Sequence, residues 1–177
     1  AGLSAAARLA SLGTVLVLEA EPALAYHASG RSAALYEPHY GPPPIVALSL
    51  ASGDAFRAGP GLLTPRGLML VARADQRAAF EADAEGMQIA PMPLDEARAR
   101  VPILNPATLA HAAYADHGWD IDTDRLIQGF AREVRANGRV LTGARVTAIA
   151  PEGGGWRVTT VAGSHAGRML INAAGAW

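Results

Sequence analysis

The chain has 177 residues with a formal net charge of -1, and half of them are hydrophobic. Only 18% are charged, which excludes a disordered tail, and the near-neutral balance argues against a binder of nucleic acid or acidic lipid. Cysteine is absent, excluding disulfides and thiolate chemistry, and no apolar run approaches the ~20 residues of a membrane helix.

In chain order, residues 2 to about 12 are predicted helical. Leu3, Ala6, Ala7, Leu9 and Ala10 recur at helical spacing, and Gly13 is a natural stop. Thr14 to Leu18 is a continuous apolar run, as in a strand of a parallel sheet buried on both faces, and Glu19 ends it. Residues 20 to 43 read as a long irregular segment, a length that is usually functional. A helix is predicted from Pro44 to about Arg57, and Gly59-Pro60-Gly61 breaks the chain. Gly67 to Ala72 reads as a strand, 75–86 and 94–100 as helices, and His111 to Asp116 as a further strand. Thr123 to Asn137 is helical, with Asp122 or Thr123 as N-cap and Gly138 at its end. Strands are predicted at 139–142, 144–150, 155–161 and 168–172, with a turn at Gly153-Gly154-Gly155.

The chain opens Ala1-Gly2-Leu3 and stops at Ala174-Gly175-Ala176-Trp177, directly after a strand-like run. It therefore reads as a piece of a longer protein.

Two segments carry the candidate chemistry. A dinucleotide-binding unit needs a glycine where the first helix packs on the sheet, and an acid at the end of the second strand for a ribose. Gly2 and Glu19 suit those positions, and an ordinary α/β unit would offer the same residues. The segment Tyr26 to Tyr36 is small, polar and centred on Gly30, so its backbone amides could approach a planar or anionic ligand. A surface turn is the plainer reading.

The order Ala-Gly-Leu-Ser-Ala-Ala, Val-Leu-Val-Leu-Glu-Ala-Glu, His-Ala-Ser-Gly-Arg-Ser-Ala-Ala and Leu-Ile-Asn-Ala-Ala-Gly-Ala-Trp resembles the FAD-dependent D-amino-acid oxidase superfamily. Within it the likeness is to the D-arginine dehydrogenase type, and it includes Ile121-Asp122-Thr123-Asp124. The resemblance implies an α/β fold, an FAD/NAD(P)-binding Rossmann-like domain with an inserted α+β substrate domain. The FAD-binding part would be residues 1–58 and 122–177, and the substrate part 59–121.

It further implies that Gly2 lies under the FAD pyrophosphate and Glu19 holds the adenosine ribose. Ser29, Gly30, Arg31, Ser32, Ala33 and Ala34 would wrap the flavin and pyrophosphate. Val146 would meet the adenine side, and Ala173, Ala174, Gly175 and Trp177 would pass close to the cofactor. Tyr40 matches an active-site tyrosine. Leu35 and Leu68 replace a histidine and a glutamate of the type that takes cationic substrates, which points to a neutral or apolar substrate side chain. Leu68 also reads as a core residue of its strand. His27 stands where some relatives attach the flavin covalently, and noncovalent binding is the favoured reading.

The implied reaction takes a hydride from the amine-bearing carbon to flavin N5, and the imine hydrolyses to an oxo acid and ammonia. The other readings are a sarcosine, glycine or 2-hydroxy-acid flavoprotein, a nicotinamide-binding Rossmann protein, and a noncatalytic fragment. Expected partners are an amine or amino-acid substrate and a respiratory electron acceptor, with neither nucleic acid nor metal. A cytoplasmic location is expected, at most peripheral to the inner membrane. Lacking the first strand and the second half of the family fold, the 177-residue piece alone is expected to bind FAD weakly and to aggregate through strand edges. His39, His111, His117 and His165 show no metal-ligand spacing, and the acidic residues from Asp116 to Asp124 read as a turn and helix cap.

Overall fold

The computed structural model describes residues 1–175. Helix α1 (Gly2–Leu9) leads to strand β1 (Val15–Leu18). Then come β2 (Leu35–Tyr36), α2 (Pro43–Ala58), β3 (Leu63–Pro65), β4 (Leu68–Ala72), α3 (Arg77–Gly86), β5 (Ala90–Pro91), α4 (Leu94–Arg100), β6 (His111–Ala115) and β7 (Trp119–Ile121). The chain closes with α5 (Thr123–Ala136), β8 (Gly138–Leu141), β9 (Val146–Glu152), β10 (Gly155–Thr160) and β11 (Gly163–Gly167). These elements form two compact units, one of residues 1–33 with the chain from Thr123 onward, the other Ala34–Asp122.

In the first unit β1 pairs with β8 in parallel, from Val15 opposite Gly138 to Leu18 opposite Leu141. Helices α1 and α5 cover this pair. Ala6 and Ala7 keep α1 close to the sheet, and Val134 of α5 fills the space between them, against Leu3, Val15, Val17, Phe130 and Val140. Asn137 Nδ2 donates to the Ala10 carbonyl at 2.9 Å, serving a carbonyl that the end of α1 leaves open. Gly138 has no room for a side chain, because a β-carbon would run into the Val15 carbonyl. A separate antiparallel meander runs β9, β10, β11. Gly153 and Gly154, at φ 58° and 78°, form its first turn, a backbone shape that suits a two-residue hairpin.

The second unit holds two antiparallel sheets, ordered β2-β7-β3 and β4-β6-β5. Phe80 and Ala84 of α3 pack with Ile89, Ala113 and Ala115 against Leu68, Leu70 and Ala72 of β4. Tyr36 stacks edge-on against Phe56 and lies 5.8 Å from the Trp119 ring, centroid to centroid.

Several sequence expectations need correction. The apolar run 168–172 is not a strand; Gly163–Gly167 takes that place beside β10. Met169 and Ile171 are exposed, and with no strand beside them their backbone forms no ladder. The irregular stretch 20–43 contains a 3-10 turn, Ser29–Arg31, and strand β2. Residues 34–58 group with the second compact unit, through the pairing of Leu35 with Asp120 and of Tyr36 with Trp119; this grouping does not decide which residues serve cofactor and which substrate. Among the described residues no helix is long and apolar enough to cross a membrane.

Candidate functional site

In the first unit a short turn joins α1 to the strand it packs on. The helix therefore runs back along β1, and its N-terminus lies at the carboxyl end of the strand. That is the end of an α/β sheet at which ligands bind.

Gly2 and Ala173 come together there, and Glu19 ends the strand. Gly2 begins α1, and a β-carbon on it would touch the Ala173 β-carbon at 3.4 Å. The two main chains thus face each other with almost no side-chain bulk between them. Glu19 extends the β1–β8 ladder by donating its amide to the Leu141 carbonyl at 2.9 Å. Its Oε1 accepts from the Glu21 amide at 3.0 Å, which fixes the carboxylate at the strand end. The Glu19 carbonyl accepts from the Ala144 amide at 2.8 Å, bringing Val146 to within two residues of the same place. Beyond Ala173 the chain turns: the Ala174 amide donates to Asn172 Oδ1 at 3.1 Å, and Gly175 takes φ 89°. Trp177 lies outside the described residues.

The loop between Glu19 and Ala34 is held by its own contacts. His27 Nε2 lies 3.0 Å from Glu21 Oε1, and its ring meets Tyr26 edge-on. The Arg31 guanidinium sits 5.2 Å from the centre of the Tyr26 ring. Ser29 to Arg31 forms a 3-10 turn that packs against α5, and Ser29, Gly30, Arg31, Ser32 and Ala33 are exposed. Ala34 opens the second unit at φ 53°, and its carbonyl accepts from the Ile121 amide.

These residues fit a dinucleotide such as FAD. The Gly2–Ala173 approach gives bare main chain beside a helix N-terminus, the environment of a pyrophosphate. The Glu19 carboxylate has accepting capacity left for a ribose diol.

In the second unit Tyr40 is 67% exposed, and its amide donates to the Glu37 carbonyl. Leu35 is partly exposed on β2, whereas Leu68 packs on the core under α3, which agrees with the core reading of that residue. The phenol of Tyr36 is pushed above the ordinary tyrosine range, first by burial and then by Glu37 and Asp54, against the opposing pull of Arg57.

One cluster escaped the sequence reading. The Glu37 side chain is 3% exposed, with His39 Nδ1 at 3.4 Å and His117 Nε2 at 3.3 Å from its Oε1. Glu-Pro-His was a weak signal, because the third member arrives from the turn before β7.

Against known proteins, the chain aligns over 99% of its length with glycine oxidase from Geobacillus kaustophilus, at a TM-score of 0.80 and 22% identity, covering 53% of that chain. L-Proline dehydrogenase from P. horikoshii gives 0.80 at 18% identity, over 99% of this chain and 50% of that one. L-α-Glycerophosphate oxidase from Mycoplasma pneumoniae, solved with FAD bound, gives 0.71 at 17% identity, over 90% and 47%. These likenesses establish the fold, and the chain spans about half the length of the structures it matches. The family model for DAO, FAD dependent oxidoreductase, matches residues 1–177, so the chain belongs to that FAD-dependent family.

Proposed function

We propose that the protein oxidises the C–N bond of a D-amino acid or a related amine, giving an imine that hydrolyses to an oxo acid and ammonia. The observation that carries this reading is the end of the first unit, where Gly2 faces Ala173 and Glu19 closes β1. FAD, when bound, supplies the two-electron oxidation; the protein supplies binding, orientation and electrostatics.

Gly2, Ala173 and Ala174 are the main-chain bed for the pyrophosphate, and Glu19 the acceptor for the ribose hydroxyls. Ser29 to Ala34, Val146 and Gly175 complete the cofactor's surroundings. Residues of the second unit serve the substrate. Tyr40, exposed on its loop, is a pocket wall or hydrogen-bond donor. Leu35 offers no charge to pair with a guanidinium, and burying an unpaired cation is costly. The substrate side chain is therefore neutral or apolar.

The test uses the protein expressed from its whole reading frame. Its visible spectrum is recorded, and flavin bleaching is followed anaerobically with neutral and cationic D-amino acids, N-methyl amino acids and 2-hydroxy acids. Bleaching by neutral D-amino acids ahead of D-arginine supports the proposal. Bleaching by 2-hydroxy acids alone, or a preference for D-arginine, contradicts it.

A further inference from the structure

The groups around Glu37 are unusual for a soluble surface loop. Glu37 and His39 follow β2 on either side of Pro38, and His117 stands in the turn between β6 and β7. One ligand-type atom from each lies within 4.8 Å of the other two. The carboxylate is buried, while His39 and His117 retain partial exposure at 18% and 21% of their side chains. Glu37 Oε2 and His39 Nδ1 are both buried and accept or donate no hydrogen bond. Buried polar atoms without partners are rare, and each calls for a cause. Two of them adjoin here.

Separations within the cluster supply a cause for the bare His39 nitrogen: they are measured to Glu37 Oε1, which also accepts from the His39 amide at 3.0 Å, and Oε2 sits beside it on the same carboxylate. Around a tetrahedral zinc ion, bonds of about 2.0–2.2 Å hold neighbouring donor atoms roughly 3.3–3.5 Å apart. The two Glu37–histidine separations, 3.4 and 3.3 Å, match that edge. We propose that Glu37, His39 and His117 form a site for a divalent transition metal of the zinc class, with a fourth position open to water.

One carboxylate and two imidazoles make a donor set suited to Zn2+, Co2+ or Fe2+ rather than to Mg2+ or Ca2+, which favour oxygen ligands. Binding has one local cost. His117 Nε2 lies 3.1 Å from the Met87 carbonyl, where its hydrogen is donated when no metal is present. On binding, that hydrogen moves through solvent to Nδ1 of the same ring, and the ring turns so that the Nε2 lone pair leaves the Met87 carbonyl and faces the metal. His39 keeps its hydrogen on Nε2 and offers Nδ1. No redox change is involved, and the dication is partly neutralised by the single carboxylate.

The placement gives the metal a consequence beyond its own shell. It ties the segment after β2 to the turn before β7, next to the short β2–β7 pairing. The Tyr40 amide hangs on the Glu37 carbonyl at 3.3 Å, so the metal fixes the backbone that carries Tyr40. His117 also lines an open cleft of about 320 Å3 with Gln88, Tyr114 and Asp116.

The experiment takes the protein from its whole reading frame, stripped with a chelator and dialysed. Zn2+ is titrated by calorimetry, and Co2+ by the visible d–d absorption of a low-symmetry site. One equivalent of each is expected. Loss of a partner outside the ligand shell typically weakens metal binding about 10–100-fold, so His39→Gln and His117→Gln should each weaken it by more than about a hundredfold. Glu37→Gln, nearly the same shape, is the second line of evidence should a histidine variant fail to fold. Circular dichroism identifies folded variants. A folded parent that takes neither metal overturns the proposal, as does binding that survives in the folded variants. Flavin content is read in the same samples: a flavin-replete protein without metal affinity sinks the metal site alone, and metal uptake without flavin sinks only the oxidase reading.

Discussion

The carbonyl oxygen of Ala25 occupies the space that a β-carbon on residue 30 would need. Ala25 itself takes φ 60°, a left-handed conformation uncommon for a side-chain-bearing residue. The loop thus folds back on itself, and only glycine fits at 30. Gly30→Ala must displace backbone, at a cost of about 1–3 kcal/mol by the measure of overpacked sites. Denaturant unfolding checks this; an unchanged midpoint would mean that the loop does not hold this shape.

Tyr36 donates its hydroxyl to the Ser49 carbonyl at 2.8 Å, and burial raises its pKa above the ordinary value. A raised folded-state pKa gives stability that is complete below the unfolded pKa, ~10 for tyrosine, and is lost as pH climbs through the folded value. Stability should therefore fall on the alkaline side. Tyr36→Phe should lose about 1 kcal/mol at neutral pH with the hydrogen bond, and this part of the alkaline decline should vanish. Unfolding free energies across pH 8 to 11, measured for both proteins, give the comparison; parallel curves would refute it.

Val134 is fully buried between α1 and the β1–β8 pair. Val134→Ala removes two methyl groups and leaves a cavity, so roughly 2 kcal/mol should be lost. Leu12 is 82% exposed, and Leu12→Ala should stay within about 0.5 kcal/mol of the parent. Equal effects at the two positions would contradict the packing described.

Long periodic segments were legible from residues alone. The spacing of Leu3, Ala6 and Ala7 gives α1, and the unbroken apolar run Val15–Leu18 gives β1, although Leu16 is exposed rather than the strand being buried on both faces. Leu35–Tyr36 and Trp119–Ile121 were not legible: two or three residues carry no period, and they are strands only because Leu35–Tyr36 lies beside Trp119–Ile121, which pairs in turn with Leu63–Pro65. The reverse happened at 168–172, where an apolar run has strand composition and no pairing neighbour. Gly163–Gly167 is poor in strand-forming residues, yet the turn after Thr160 folds it onto β10. Among site residues, Gly2 and Glu19 could be read from spacing along one helix–strand unit. The meeting of His117 with Glu37 depends on β2 lying beside β7, which no local pattern announces.

Gly2 separates cofactor binding from folding. An added methyl would make ordinary contact with Ala173 at 3.4 Å, so Gly2→Ala should unfold within about 0.5 kcal/mol of the parent. With Gly2 in the proposed pyrophosphate bed, the same methyl should weaken FAD binding. An FAD affinity unchanged by Gly2→Ala would remove Gly2 from the cofactor site.

The most direct test of the cofactor site is the FAD dissociation constant of Glu19→Ala beside that of the parent, both expressed from the whole reading frame. A charged acceptor for a hydrogen bond is worth about 1.5–3 kcal/mol. The account predicts a parent that binds FAD and a variant weakened by roughly ten- to a hundredfold in a fold otherwise intact. Equal FAD affinity in the two proteins would contradict it.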